Sequence, residues 1–305
     1  MLQYRVVKKS DINQIIELFE GVFGGHLLRE YYVWKYTYNN AFSSYCVFDK
    51  DILVAHVGYK INILLSDSKK YLFASRHTSM VKKEYRSDGL YLKLIKFSIL
   101  KLQEKNISFV MAWPNINNMK ATLVHDDFFP IFQTSTLTLK LRTKAEKLIK
   151  DELIFTLLST DIIKAIRQKP SNDTFSINKS FSYLQDRYID HPVNNYYVHC
   201  YQDKSSFIIF RIHSGYVNIV EFFSRSDLFS PHLEDFIESL GEYSCVIQSW
   251  CSIFEKNKYS SFLRSGFLPN EPIFQCGAYV LDERASDIIS SPNKFVFSMG
   301  DSDVF

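Results

Sequence analysis

The stretch Thr78-Ser-Met-Val-Lys-Lys-Glu-Tyr-Arg-Ser-Asp-Gly-Leu-Tyr-Leu-Lys-Leu94 decides how the rest of the chain is read. It begins as the tail of a strand-like run, Tyr71 to Val81, and crosses a short charged turn. It resumes at Gly89 with Leu90, Leu94, Ile95 and Leu102 at helical spacing. A strand, a turn and a helix opened by glycine aim backbone N–H groups and the positive helix end at one spot. Such a spot holds an anion. Arg86 adds a cationic fork, and Gly89 lets a phosphate approach the backbone closely. The GKS/T ending of a Walker loop is missing, and only one of the three glycines of a dinucleotide fingerprint is present.

Upstream, Tyr4 to Val7 predicts a strand. Ser10 offers an N-cap hydroxyl before Ile12, Ile15, Ile16, Phe19 and Val22, and Gly24-Gly25 ends that helix. An aromatic helix is expected over Leu27 to Tyr36. Tyr45 to Phe48 and Ile52 to Leu65 form a hairpin around Asp49-Lys-Asp51. Downstream come a buried strand from Ile107 to Trp113, a helix from Asn117 to Asp127 and an alternating strand from Ser135 to Leu141. The order β-α-α-β-β-β-α-β-α-β closes near residue 145, where the charged run Arg142 to Lys150 reads as a connector.

Beyond the connector the pattern starts again. Lys35-Tyr36, Asn39, Ser43 and Tyr45 recur at a common offset as Arg187-Tyr188, His191, Asn195 and Tyr197. Asp127-Phe-Phe-Pro130 parallels Gly266-Phe-Leu-Pro269. Two copies of one fold account for the length of 305 residues. The expected architecture is mixed α/β (α+β): two tandem units, 1–145 and 146–305, each a mostly antiparallel twisted sheet flanked by helices.

A net charge of +3 argues against a strongly electropositive nucleic-acid binder. The chain is 46% hydrophobic and 23% charged, as in globular rather than disordered proteins. Five cysteines, none at CxxC spacing, read as reduced thiols and predict no metal site. No apolar leader opens the chain and no stretch reaches the roughly 20 apolar residues of a membrane span, so a cytoplasmic protein is expected. Glycine is scarce, at 10, against 26 Phe and 19 Tyr, so each glycine is informative.

At Arg86-Ser87-Asp88-Gly89-Leu90-Tyr91 the chain resembles the GNAT N-acyltransferase superfamily, whose acyl-CoA loop reads Arg/Gln-x-x-Gly-x-Gly/Ala after a strand. Tyr91 in place of the last small residue is a departure. Trp113-Pro-Asn115 and Asn118-x-x-Ala121 match the region where two strands splay around the pantetheine arm. The ending Ser298 to Phe305, with Trp34-Lys35-Tyr36, is similar to tandem members among bacterial surface-polysaccharide enzymes.

The resemblance implies acetyl-CoA as co-substrate and direct attack of a primary amine, such as an amino sugar or sugar-linked amine, on the thioester. It implies that the backbone near Met80 polarises the carbonyl and that Val81 aligns the pantetheine. Arg86, Ser87, Asp88, Gly89, Leu90 and Tyr91 would hold the pyrophosphate, and Asn115 and Asn118 the arm. The family's leaving-group Tyr is missing; one register places His125 there and another Leu123.

His77 is the candidate base, since its ordinary pKa lies near neutrality; a hydrogen-bonded histidine at a strand edge is the alternative. Trp34 and Tyr36 are candidates to stack on a sugar, with packing between the two copies as the other reading, and Arg187, in the counterpart of that block, is a candidate inter-copy or acceptor contact. The second copy has Arg225 but no glycine at the loop position, so it builds the acceptor side or braces the first. Two other classes stand beside the enzyme: a degenerate, non-catalytic CoA-binding protein, and an aminoacyl-tRNA-dependent Fem-like transferase. The latter would need a basic channel that the sequence lacks.

Overall fold

A computed structural model describes residues 1–66, 69–114, 122, 128–142, 155–166, 174–202, 205–241, 243 and 245–302; for 87, 88, 132–134 and 271–275 it describes the backbone. Two compact units result. Unit 1 holds residues 1–64, 69–132 and 275–292, and unit 2 holds 65–68, 133–274 and 293–305. The chain thus supplies a late segment to unit 1, which a single cut near residue 145 does not anticipate.

Unit 1 begins with β1 (Leu2–Val6). The Asp11 carboxylate takes the Lys8 N–H at 2.7 Å and binds Arg5 at 2.5 and 2.8 Å, so Asp11, and not Ser10, organises the helix entry. Helix α1 (Ile12–Phe23) buries Ile12, Ile15 and Leu18, and Gly24 ends it in the left-handed region. The remaining elements are α2 (Arg29–Tyr36), the short ribbon β2 (Thr37–Tyr38) with β3 (Ala41–Phe42), β4 (Ser44–Asp49), β5 (Ile52–Ser66), β6 (Lys69–Val81), α3 (Leu90–Gln103) and β7 (Phe109–Ala112).

Lys50 turns the β4–β5 hairpin at positive φ, as the Asp49-Lys-Asp51 break predicts. The predicted helix over 117–127 lies outside the described residues apart from Thr122.

The sheet of unit 1 runs β1-β4-β5-β6-β7 and is completed by the end of β14 (Leu268–Val280), where Gly277–Val280 pair antiparallel with β7. Each face carries its own cluster. Ile12, Ile15, Leu18, Tyr32, Tyr36, Phe48 and Met80 pack on the α1–α2 side. Val57, Tyr59, Ala74, Val81, Leu90, Leu94, Ile95 and Ile99 pack on the α3 side. A fully buried aliphatic side chain contributes about 1.5–3 kcal/mol, so both faces are held by packing.

Unit 2 takes up the strand β8 (Phe129–Leu141) from residue 133 onward. It continues with α4 (Thr160–Ala165), β9 (Phe175–Ile177), α5 (Phe181–Leu184), β10 (Tyr197–Tyr201), β11 (Ser206–His213), β12 (Tyr216–Phe223), α6 (Phe229–Ser239), β13 (Cys245–Trp250) and α7 (Lys256–Arg264), which leads into β14. Its sheet runs β8-β13-β12-β11-β10. Helix α8 (Ser286–Ile289) belongs to unit 1; β15 (Phe295–Val296) pairs with β9 in unit 2. Both units repeat one order: hairpin, strand, helix, parallel strand. The parallel pairs are β6–β7 and β12–β13.

Candidate active site

In unit 1 the parallel pairing runs from Phe73↔Phe109 to Arg76↔Ala112, where β7 ends. Strand β6 continues to Val81, so residues 77–81 pass beyond the last described residue paired from β7. At the last of these pairs Arg76 is buried, donates to Thr122 Oγ1 at 2.6 Å and lies 4.6 Å from the Phe128 ring centroid.

The end of β6 leads straight into the loop singled out in the sequence. Lys82 N–H donates to Val54 O at 2.8 Å, closing the strand. Lys83–Asp88 coil into a 3-10 turn, inside which Arg86 Nε donates to Val81 O at 3.0 Å, and Tyr85 donates to Asp49 at 2.9 Å.

Gly89 takes φ +64° and opens α3, whose first turn no side chain caps. A Cβ built at Gly89 would meet nothing within 4 Å. An uncapped first turn, a residue without a side chain and the exposed cations Lys83 and Arg86 suit a pyrophosphate. Leu90 is fully buried under the turn, and Tyr91 is half-buried with the Arg76 guanidinium 5.9 Å from its ring.

A polar cluster that sequence reasoning missed lies beside residues 77–81. Thr78 takes φ +46° inside β6. His56 Nδ1 lies 2.9 Å from Thr78 O, and its Nε2 lies 3.0 Å from Tyr32 OH, which in turn meets Ser44 Oγ at 2.7 Å. Tyr36 OH lies 2.5 Å from Thr78 Oγ1. Tyr32, Ser44 and His56 are wholly buried. Burial drives the His56 pKa down to about 4, with Lys35 adding to the shift, and burial raises both tyrosines. A histidine inside the apolar run Val54-Ala-His-Val57 was the sequence signal; the positive φ at Thr78 had none.

The predicted residues fall into three groups. Met80, Val81, Arg86, Gly89, Leu90 and Tyr91 come together at the end of β6 and the start of α3, with the backbone of Ser87 and Asp88 between them. His77 stands half-buried in β6 next to Thr78. Asn115, Asn118, Ala121, Leu123 and His125 lie outside the described residues.

The candidate acceptor contacts are engaged within the protein. Tyr36 is 1% exposed. Trp34 is half-buried and stacks on Tyr31 with Lys60 Nζ over its ring at 4.0 Å. Arg187, in unit 2, is buried and donates to the carbonyls of Gly300 and Ser302 at 3.0 and 2.8 Å.

Among the described residues no group of three or more His, Cys, Asp or Glu side chains could hold a metal ion, and no helix is long and apolar enough to cross a membrane. A cavity of about 430 Å³ in unit 2, lined by Ser226, Asp227, Ser230, Asn257, Ser260, Ser261 and Arg264, sits at the counterpart of the loop. The helix beside it, α6, is not opened by a glycine.

Residues 3–120 match the family described as "Acetyltransferase (GNAT) domain". No curated protein matches the chain. Among solved structures, a GCN5-related N-acetyltransferase from Kribbella flavida superposes with TM-score 0.67 at 12% identity, over 93% of this chain and 72% of that one. A probable N-acyltransferase from Enterococcus faecalis V583 gives 0.65 at 13% identity, over 93% and 73%. Saccharomyces cerevisiae N-myristoyltransferase with bound myristoyl-CoA and inhibitors gives 0.62 at 13% identity, over 92% and 80%. At such identities the likeness concerns the fold, and it spans both units: two tandem GNAT-like folds. The acetyltransferase description belongs to the family matched by residues 3–120.

Proposed function

We propose that unit 1 transfers an acetyl group from acetyl-CoA to a primary amine, an amino sugar or sugar-linked amine being the acceptor class we favour. The observation that carries this reading is that β6 runs on to Val81 beyond its last described pair with β7, Arg76↔Ala112, and leads into the uncapped, glycine-opened start of α3. A thioester arm there would lie along the backbone of 77–81, with its pyrophosphate on the loop from Arg86 to Tyr91. Asn115 and Asn118 are proposed to hold the arm.

The amine nitrogen attacks the thioester carbon, and backbone N–H groups near Met80 stabilise the oxyanion. The C–S bond breaks as the amide forms. The amine proton goes to a base, for which His77 is the candidate, and the thiolate takes a proton from an acid, for which His125 is the candidate. No covalent enzyme intermediate is needed, so no cysteine has a role. Unit 2 is proposed to brace unit 1 or to build the acceptor side. Trp34, Tyr36 and Arg187 are set aside as acceptor contacts, because each is engaged inside its own unit.

Calorimetry with acetyl-CoA tests the donor site. Arg86→Ala is expected to weaken binding about tenfold, the worth of a charge-assisted phosphate contact. Gly89→Glu is expected to abolish it, by strain and like charge together. Equal affinity in wild type and both variants would refute the loop assignment.

A further inference from the structure

Building on the acetyl-CoA reading, we propose that His56 is a positioning residue of the transfer site: backed by Tyr32 and Ser44 and joined by Tyr36, it holds Thr78 in a bulge that aims the backbone of residues 79–81 at the thioester.

A β-branched residue at φ +46° is a backbone outlier. Left-handed geometry in a non-glycine residue costs about 1–3 kcal/mol and persists only where the surroundings impose it. The surroundings here are specific. The carbonyl of Thr78 meets His56, and its hydroxyl meets Tyr36.

The hydrogen bonds also fix a direction. A carbonyl can only accept, so Nδ1 of His56 carries the proton and donates to Thr78 O. Nε2 of the neutral ring must then accept, and it does so from Tyr32 O–H. Tyr32 oxygen in turn accepts from Ser44 Oγ–H. The chain of donors runs one way, from Ser44 to Thr78.

The bulge leaves a mark on the packing. Side chains of a regular strand alternate between faces, so Ala74 and Met80 would share one. They do not. Ala74 packs on the α3 side, Met80 on the α1–α2 side, and Val81 is back on the α3 side. The strand has slipped by one residue between Ala74 and Met80, and Thr78 is where its dihedral is abnormal. Backbone N–H groups alternate between the two edges as side chains alternate between faces. A one-residue slip therefore exchanges which N–H groups face the thioester. His56 and Tyr36 act on the reacting carbonyl through that exchange and touch no substrate.

The test compares wild type with His56→Val, His56→Asn, Thr78→Gly and the double variant His56→Val/Thr78→Gly. Four quantities are followed: acetyl-CoA affinity by calorimetry; kcat and KM as free-thiol release with the best of a panel of primary amines; melting temperature; and hydrogen exchange at the 79–81 amides with and without acetyl-CoA. Acetyl-CoA affinity of His56→Val is expected to stay within about threefold of wild type, since the pyrophosphate loop is untouched. Its kcat is expected to fall ten- to a hundredfold, as misplacement at a reacting centre does. Its 79–81 amides are expected to lose the protection that acetyl-CoA confers.

His56→Asn, whose amide can donate to Thr78 O, is expected to recover most of kcat. In Thr78→Gly the backbone needs no holding, so the double variant is expected to exceed His56→Val. Unchanged kcat and amide protection in a folded His56→Val would overturn the proposal, as would a loss that neither Asn nor the glycine relieves. Should His56→Val fail to fold, Tyr36→Phe decides: a threefold to tenfold fall in kcat with affinity kept supports positioning, and no change refutes it. Absence of acetyl-CoA binding by the wild type would instead remove the donor reading itself. The amide measurement requires no acceptor.

Discussion

In unit 1 the parallel pairing stops at Arg76↔Ala112 while β6 runs on to Val81; in unit 2 it stops at Ile219↔Ser249 while β12 runs on to Phe223. Beyond those points the two units diverge. In unit 2 the continuing strand is covered by the unit's own residues. A Cβ at Gly300 would lie 3.0 Å from both Val220 O and Glu221 Oε1. Buried Lys179 binds Glu221 and Asp301 together, and Tyr188 donates to Glu221 at 2.6 Å. The helix that follows also differs. Gly89 opens α3 at positive φ, whereas α6 follows an exposed Arg225–Asp227 pair at 2.9 Å, with no glycine before it. An anion site needs uncommitted N–H groups and space beside them. Unit 1 has open space beside Gly89, whereas in unit 2 the end of β12 lies against Gly300 and its Glu221 is tied through Lys179 to Asp301.

The largest expected effect breaks the unit 2 arrangement. Lys179→Met leaves two buried carboxylates without their cation, and removing one partner of a buried ionic cluster costs about 3–5 kcal/mol. Burial lowers and the two carboxylates raise the Lys179 pKa, and the carboxylates win; burial raises that of Glu221. Urea unfolding followed by hydrogen exchange should show unit 2 losing stability, with acetyl-CoA affinity preserved. If affinity falls in parallel, the division of roles between the units is wrong.

Acid sharpens the same comparison, because each unit holds a fully buried histidine whose pKa is depressed, His56 in unit 1 and His232 in unit 2. His56 in unit 1 faces Tyr32, Tyr36 and Lys35, and its pKa is lowered to about 4. His232 in unit 2 lies 3.1 Å from His199 and 2.5 Å from Ser206, stacks on Tyr201, and its pKa is lowered to about 3; Asp235 approaches His199 at 3.4 Å. Burial is the main cause in both. A histidine depressed below its unfolded pKa of about 6.5 favours the neutral folded form, so its contribution is complete above pH 6.5 and is lost as pH falls toward the folded value. The loss is on the order of 3 kcal/mol for each. Unfolding free energies at pH 7 and pH 4 should differ by that order in each unit. His56→Gln should flatten the dependence in unit 1 alone; the same slope in both proteins would contradict the burial argument.

Much of unit 1 was legible because its elements announce themselves locally. Ile12, Ile15, Ile16, Phe19 and Val22 recur at helical spacing and all pack into one cluster, Asp49-Lys-Asp51 breaks a hairpin, and Gly89 opens a helix. What was not legible depends on residues distant in sequence. The late segment 275–292 completes the sheet of unit 1 through pairs such as Gly277↔Ala112, which no local pattern encodes. The Thr78 clamp joins residues 22 and 42 positions apart, and the Lys179 cluster joins residues 42 and 122 apart. Arg187 stands out in sequence as the repeat counterpart of Lys35; the carbonyls it meets lie more than 110 positions away, beyond any local pattern.

The smallest effect separates conformation from function at two glycines. Gly89 in unit 1 and Gly266 in unit 2 both have positive φ, +64° and +88°. A Cβ meets nothing within 4 Å at Gly89 and only Leu139 Cδ1 at 3.5 Å at Gly266, so neither alanine clashes. What remains is the left-handed penalty of about 1–2 kcal/mol, and it should be similar for both. Gly89→Ala and Gly266→Ala are therefore expected to lower stability by similar amounts, each read as a shift of the urea midpoint at unchanged slope. Their effects on acetyl-CoA should part, because the open space at Gly89 is where a phosphate would approach the backbone and the space at Gly266 is not. A severalfold weaker affinity in Gly89→Ala with wild-type affinity in Gly266→Ala assigns that space to the ligand. Equal affinity in the two would make Gly89 a helix-opening glycine and nothing more, leaving Arg86 to carry the anion site alone.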